Sequence, residues 1–210
     1  MNRGSAPEGP EEAAVAGDLE PRAGDALLVV DVQNDFLPGG ALAVAGGDAV
    51  VAPLNRAIDR FARAGLPVVA SRDHHPPDHC SFRNQGGPWP PHCVAGTPGA
   101  DFAPDLALPE GAVVVSKATR KEADAYSAFD GTGLAERLHE LGVRRLFVGG
   151  LATDYCVKAS ALDALAAGFQ VVLLTDAIRA VEAAPGDGAA AIEAMQAAGA
   201  RLATTEEVCR

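Results

Sequence analysis

The sequence predicts an α/β protein, a three-layer α/β/α sandwich around a central, mainly parallel six-stranded sheet. Two observations lead there. Six short runs along the chain are nearly all apolar and rich in β-branched residues, the composition of strands buried on both faces. Between most of them lie segments whose apolar residues recur at three- and four-residue steps and stop at glycine, as amphipathic helices do. Strands alternating with helices along one chain give parallel neighbours with helices on both sides of the sheet.

In chain order, residues 1–24 (MNRGSAPEGPEEAAVAGDLEPRAG) carry too few apolar side chains to order themselves, which predicts a flexible tail before one domain over residues 25–210. They lack the apolar core of a signal peptide. Strands are expected at ALLVVD (26–31), LPVVASRD (66–73), AVVVSK (112–117), RRLFVGG (144–150), QVVLLTD (170–176) and ARLAT (200–204). Val50, Leu54, Ile58 and Phe61 mark the helix between the first two strands, with Gly65 as its stop. LAERLHELG, DYCVKASALDALAAG and GDGAAAIEAMQAAG supply the later helices, each ending at glycine. One connection breaks the rhythm. Residues 74–111 hold no periodic segment and are dense in Pro, Gly and His, so this long loop reads as functional, a metal-binding insertion over about 73–111.

At 210 residues the chain suits a single domain with a substantial core, and 48% of it is hydrophobic. A formal net charge of -11 argues against nucleic acid or an anionic membrane surface as a partner. No apolar run approaches the roughly 20 residues of a membrane helix. Four cysteines without a secretory signal suggest free thiols or ligands in a reducing cytoplasm, the expected location. A homo-oligomer is compatible with the pattern, which does not set the oligomeric state.

Ligands of open α/β sheets bind beyond the carboxyl ends of the strands. The first strand ends at Asp31, the second at Asp73 and the third at Lys117, and the fourth leads through GGLAT to Cys156. One polar strand end means only access to solvent. Two carboxylates, a lysine and a cysteine on one rim favour a site. Cys156 taken alone reads as readily as a packed small hydrophobe as a nucleophile. With Thr153 or Asp154 capping the following helix, its sulfur would sit in the first turn, where the helix dipole, amide N–H groups and Lys117 favour a thiolate. Asp31 would accept the thiol proton.

Four of the five histidines fall in DHHPPDHCSFRNQGGPWPPHC. Asp73, His75, His79 and His92 offer one carboxylate and three imidazoles, a donor set suited to Zn, Fe or Mn that leaves room for water or substrate. His74 competes with His75 for one of these places. Cys80 and Cys93 each adjoin a candidate histidine, so the spacing leaves a mixed Cys/His structural zinc open. His139, in the polar ERLHELG helix, reads as a surface residue.

The stretches VDVQNDFLPGG, SRDHHPPDHCSF, GPWPPHCVAGTPGADF, SKATRKEADAYSAFDGTGL and VGGLATDYCVKASALDA resemble the nicotinamidases of the isochorismatase-like cysteine hydrolases. The resemblance runs over nearly all of the chain beyond the tail. It implies an amidohydrolase that converts nicotinamide to nicotinate and ammonia through a Cys156 thioester in NAD salvage, with pyrazinamide as a second substrate. Asp31, Lys117 and Cys156 match the catalytic triad, and the backbone N–H groups of Ala152 and Cys156 match the oxyanion hole. A cis peptide between Ala152 and Thr153 is implied as well. Asp73, His75, His79 and His92 match the ligands of one divalent metal ion, Zn ahead of Fe or Mn, which in the family binds the pyridine nitrogen. That match favours His75 over His74 and makes bystanders of Cys80 and Cys93. Phe36, Trp89 and Tyr126 match walls of the ring pocket, and Leu151 and Tyr155 complete the substrate-binding set. His74 departs from the tryptophan that family members usually carry there.

Two other readings stand beside this one. The first is an amidohydrolase for another small carbamoyl or ureido amide, whose enzymes generally lack the Asp-His-His-His set. The second is a zinc-stapled, non-catalytic domain, which would unfold when its metal is removed.

Overall fold

The strands form where the apolar runs predict them. The computed structural model, which describes residues 19–210, contains six: β1 (Asp25–Val30), β2 (Val68–Asp73), β3 (Val113–Lys117), β4 (Arg145–Leu151), β5 (Gln170–Arg179) and β6 (Arg201–Ala203). They make one sheet in the order β3-β2-β1-β4-β5-β6, and every neighbouring pair is parallel. The expected mainly parallel sheet is therefore wholly parallel. β5 runs past the predicted end at residue 176, because extra residues bulge out of β5 after Leu173, opposite Gly149, and let Ile178 and Arg179 pair with Gly150 and Leu151.

Five helices cover the sheet: α1 (Val51–Arg63), α2 (Leu134–Glu140), α3 (Lys158–Ala166), α4 (Asp187–Ala197) and α5 (Thr205–Val208). Side-chain alternation along β1 sorts them into two layers. Leu27 and Val29 pack with Leu54, Ala57, Ile58 and Phe61 of α1 and Val208 of α5. Ala26, Leu28 and Val30 pack on the other face with Leu138 of α2, Ala161 of α3 and Met195 of α4. Phe61 meets Phe147 edge to face at 5.2 Å, and burying a ring of that size contributes roughly 1.5–3 kcal/mol. The short α5 escapes a periodicity search, yet a capping box holds it: Thr204 accepts from Glu207 N–H, and the Glu207 carboxylate accepts from Thr204 N–H.

Of the flexible tail expected over residues 1–24, residues 19–24 are packed on the domain. Leu19 is only 6% exposed and joins the core on the α1 side. The Glu20 carbonyl accepts from Arg145 Nη2 at 3.2 Å, and Arg145 also grips Asp25 through two bonds of 2.9 and 2.6 Å. One buried leucine and a shared arginine tie residues 19–24 to β1 and β4; residues 1–18 lie outside the described residues. Among the described residues, no helix is long and apolar enough to cross a membrane.

This topology positions the site. Strand order runs outward in opposite directions from β1 and β4, so the crevice at their carboxyl ends is the switch point where open α/β sheets bind ligands. Gly150 lets the two strands meet there. Its φ is +130°, and a Cβ would lie 2.0 Å from the Val30 carbonyl oxygen, so no other residue fits.

Candidate active site

Register brings the first group of side chains together. Asp73 and Lys117 are paired across β2 and β3, and Asp31 follows β1 with φ +49°, which turns it off the strand. Ser71, one strand over, donates to Asp31 Oδ1 at 2.7 Å. Lys117 Nζ lies 3.0 Å from Asp31 Oδ2, 2.5 Å from Asp73 Oδ1, 3.2 Å from the Ala125 carbonyl and 3.4 Å from Cys156 Sγ. Its contact with Asp31 Oδ2 is an ion pair by distance but lacks hydrogen-bond alignment, and that oxygen takes no hydrogen bond among the described residues. Asp31 therefore keeps one buried carboxylate oxygen ready for a proton. Asp31, Asp73 and Cys156 have reactive atoms within 4.8 Å of one another.

Cys156 sits on a wide turn. Thr153–Val157 form a π-helical turn that runs directly into α3. The Ala152 carbonyl accepts from Tyr155 N–H at 3.1 Å and Val157 N–H at 3.0 Å, passing over the N–H of Cys156 between them. Such single π turns recur at functional sites. The cis peptide falls one bond earlier than expected, between Leu151 and Ala152, and this is the bond that carries the Ala152 N–H. Neither Thr153 nor Asp154 caps the helix. Asp154 instead accepts from Val181 N–H at 2.9 Å and Glu182 N–H at 3.0 Å, tying the turn to the loop after β5.

Electrostatics revise the expected thiolate. Burial pushes the Cys156 thiol well above its usual range; Lys117 opposes this, while Asp31 and Asp73 add to it. The net shift favours the thiol over the thiolate. Burial likewise raises the Asp31 carboxyl, with Lys117 pulling it back, Asp73 raising it and Ser71 lowering it. For Lys117, burial alone would lower the ammonium, but Asp31 and Asp73 more than offset this and hold it well above the ordinary value. The cluster sets a lysine between two aspartates, facing the sulfur.

The second group lies on the long insertion. Donor atoms of Asp73, His75 and His92 fall within 4.8 Å of one another, and all three residues are buried. His75 Nδ1 donates to the His92 carbonyl (3.0 Å) and His92 Nδ1 to the Pro90 carbonyl (2.8 Å), which leaves both Nε2 lone pairs free, as metal-binding imidazoles require. Burial first, then His92, pushes His75 down to about 3, so its ring is neutral at ordinary pH. The donor set fits a divalent cation. His79 is placed differently: its Nε2 lies 3.2 Å from the Ala123 carbonyl, and it groups with His75 and Asp124. The half-buried His74 enters neither group. Nor do Cys80 and Cys93, so among the described residues no mixed Cys/His set forms. His139 is exposed, as its helix predicts.

Cys156 of the first group and Asp73, His75 and His92 of the second line one cavity of about 490 Å³ including its mouth. Four of the five predicted pocket residues line it: Phe36, Trp89, Tyr126 and Tyr155. Trp89 Nε1 donates to Tyr126 Oη at 3.0 Å, and both rings pack on Tyr155, which makes one aromatic wall. Leu151 is not in the lining. It ends β4 with its side chain in the α1-side core, so alternation turns it away from the cavity. Leu42, Val44, Asp124 and Val181 line the cavity without any forewarning in the sequence, since each comes from a loop. Gln33 was also missed, although an amide amid apolar residues was a usable signal. Its Oε1 accepts from Asp73 N–H (2.8 Å), and its Nε2 donates to the Asp73 (2.8 Å) and Ala100 (2.9 Å) carbonyls, fixing Asp73 from both sides.

The fold and site define an α/β protein with an aspartate–lysine–cysteine centre beside a candidate cation site. The Isochorismatase domain profile matches residues 25–207, and the chain belongs to that family. A nicotinamidase of Escherichia coli (strain K12) is 43% identical over 200 residues, covering 85% of this chain and 94% of that protein. A pyrazinamidase of Pyrococcus horikoshii, solved in complex with zinc, superposes with a TM-score of 0.83 at 49% identity, covering 86% of this chain and 99% of that one. PnC1 from L. infantum, solved in complex with nicotinate, gives a TM-score of 0.82 at 41% identity, covering 89% and 95%.

Proposed function

We propose that this chain is an amidohydrolase converting nicotinamide to nicotinate and ammonia, with pyrazinamide as a further substrate. The observation that carries the reading is that Cys156, backed by Lys117 and Asp31, lines one cavity together with the Asp73–His75–His92 donor set. Similarity to a nicotinamidase and a pyrazinamidase supports the substrate class. On this reading the partner is a small molecule and the setting the cytoplasm.

The flat ring lies against the aromatic wall with its carboxamide at Cys156. Asp31 takes the thiol proton as Sγ bonds to the carboxamide carbon and the carbonyl electrons move onto oxygen. The N–H groups of Ala152 and Cys156 hold this oxyanion, each donor worth about 3 kcal/mol when aimed at charge that develops only in the transition state. Collapse of the adduct expels the nitrogen, which takes the proton from Asp31 and leaves as ammonia. A thioester remains. Asp31 then removes a proton from water as its oxygen adds to the thioester carbon; Sγ leaves and recovers that proton, and the acid formed gives its carboxyl proton to solvent and leaves as nicotinate. Lys117 stays charged throughout and balances the negative charge as it moves between Asp31, sulfur and oxygen. A divalent cation held by Asp73, His75 and His92, with His79 beside them, would supply a Lewis-acid anchor for the pyridine nitrogen.

Ammonia release from nicotinamide by wild type and Cys156→Ala tests this. Wild type is expected to release ammonia and the variant to fall to background. Robust release by the variant would remove the nucleophile. No release by wild type, with Zn, Fe or Mn restored, would move the assignment to another small carbamoyl or ureido amide.

A further inference from the structure

Two donor sets share His75. Asp73–His75–His92 is buried throughout, whereas His75–His79–Asp124 ends in an exposed carboxylate; in each, the donor atoms lie within 4.8 Å of one another. Asp124 is firmly presented. The carbonyl before it, on Ala123, bonds His79 Nε2 at 3.2 Å, and the carbonyl after it, on Ala125, accepts from Lys117 Nζ at 3.2 Å. Its own Oδ1 accepts from Ala125 N–H at 3.0 Å. Side chains of the two halves of the site thus pin the backbone on either side of Asp124, and the residue lines the same cavity as His75, His92 and Cys156.

The sharing decides what the two sets can do. With its Nδ1 proton on the His92 carbonyl, His75 has a single lone pair, on Nε2. One lone pair holds one ion, and His79 adds none, since its Nε2 bonds the Ala123 carbonyl and its Nδ1 accepts from Ser81 N–H at 3.3 Å; Asp124 and the buried set are therefore alternative partners of His75 for a single cation. An ion arriving from solvent meets the exposed carboxylate first, and His75 is common to both sets. We propose that Asp124 forms an entry position for the divalent cation, from which the ion passes to the free Nε2 lone pair of His75 and so to the buried set. This rests on the reading of Asp73, His75 and His92 as cation holders.

The test is stopped-flow uptake of zinc by the full chain after chelator stripping, followed with a zinc-sensitive dye, with circular dichroism to verify folding. Asp124→Asn should slow association about tenfold, the lower end of electrostatic steering, and slow dissociation in step, so that Kd stays within about threefold. Asp124→Glu should restore uptake. An unchanged association rate in Asp124→Asn overturns the entry role. So does faster dissociation at unchanged association, which would make Asp124 a ligand of the resident ion. If wild type takes up no zinc, the cation reading of the buried set fails and this inference fails with it.

Discussion

At the residue scale, Ser71 and Lys117 set what Asp31 can do. Ser71 donates to Asp31 Oδ1 and lowers a carboxyl that burial has raised. Ser71→Ala removes that donor, so the carboxyl rises further. Asp31 must be ionised to take the thiol proton, so the acidic limb of kcat/KM should move to higher pH in the variant. A limb that stays put or moves to lower pH would show that Asp31 is not the base. Lys117→Met leaves Asp31 and Asp73 as buried, unpaired carboxylates, and breaking such a pair costs about 3–5 kcal/mol. Denaturant unfolding should show that loss, and adding Asp31→Asn should recover part of it; no recovery would place the damage elsewhere. Asp31, Asp73, Lys117 and Cys156 were legible because strand ends of a parallel sheet share a rim. The state of the thiol was not, because it depends on burial and on two carboxylates brought in from other strands.

At the element scale, the crossing of β1 and β4 is the tightest constraint near the site. Gly150→Ala would put a Cβ 2.0 Å from the Val30 carbonyl oxygen in a backbone conformation that already disfavours side chains. The conformational penalty alone is about 1–3 kcal/mol, and the clash adds to it. The variant should melt several degrees lower and lose activity together with stability. A Tm equal to wild type would mean the strands can separate there without cost. The helices from α1 to α4 were readable from three- and four-residue spacing. The π turn before α3 was not, because one extra residue in a turn leaves the apolar spacing of DYCVKASALDALAAG intact. Likewise, Leu151 looked like a pocket residue by its place in the sequence, while alternation along β4 buries it in the core.

At the scale of the whole molecule, strand identity was legible but strand order was not, since neither apolar runs nor helix spacing say which strands are neighbours. How the insertion is fastened is also a property of the whole chain. Cys93, Ala100, Ala103 and Leu106 of that loop are buried in the core on the α1 side. Gln33 holds the Asp73 and Ala100 carbonyls, and Asp35 accepts from Cys93 N–H at 2.7 Å. The loop is therefore fastened by packing and hydrogen bonds that do not involve a cation. Removing metal should cost only what linkage requires, about 4 kcal/mol for an ion held at 1,000 times its Kd. For a chain of this size that is a fall in Tm of roughly 8–16 °C with one cooperative transition retained. Nicotinamide binding should weaken far more, because its anchor is gone while the aromatic wall remains. Calorimetry of the ligand beside thermal melts, with and without chelator, separates the cases. A chain that unfolds at 25 °C on chelation would make the metal a structural staple, and the donor set would then hold the fold together instead of holding the substrate.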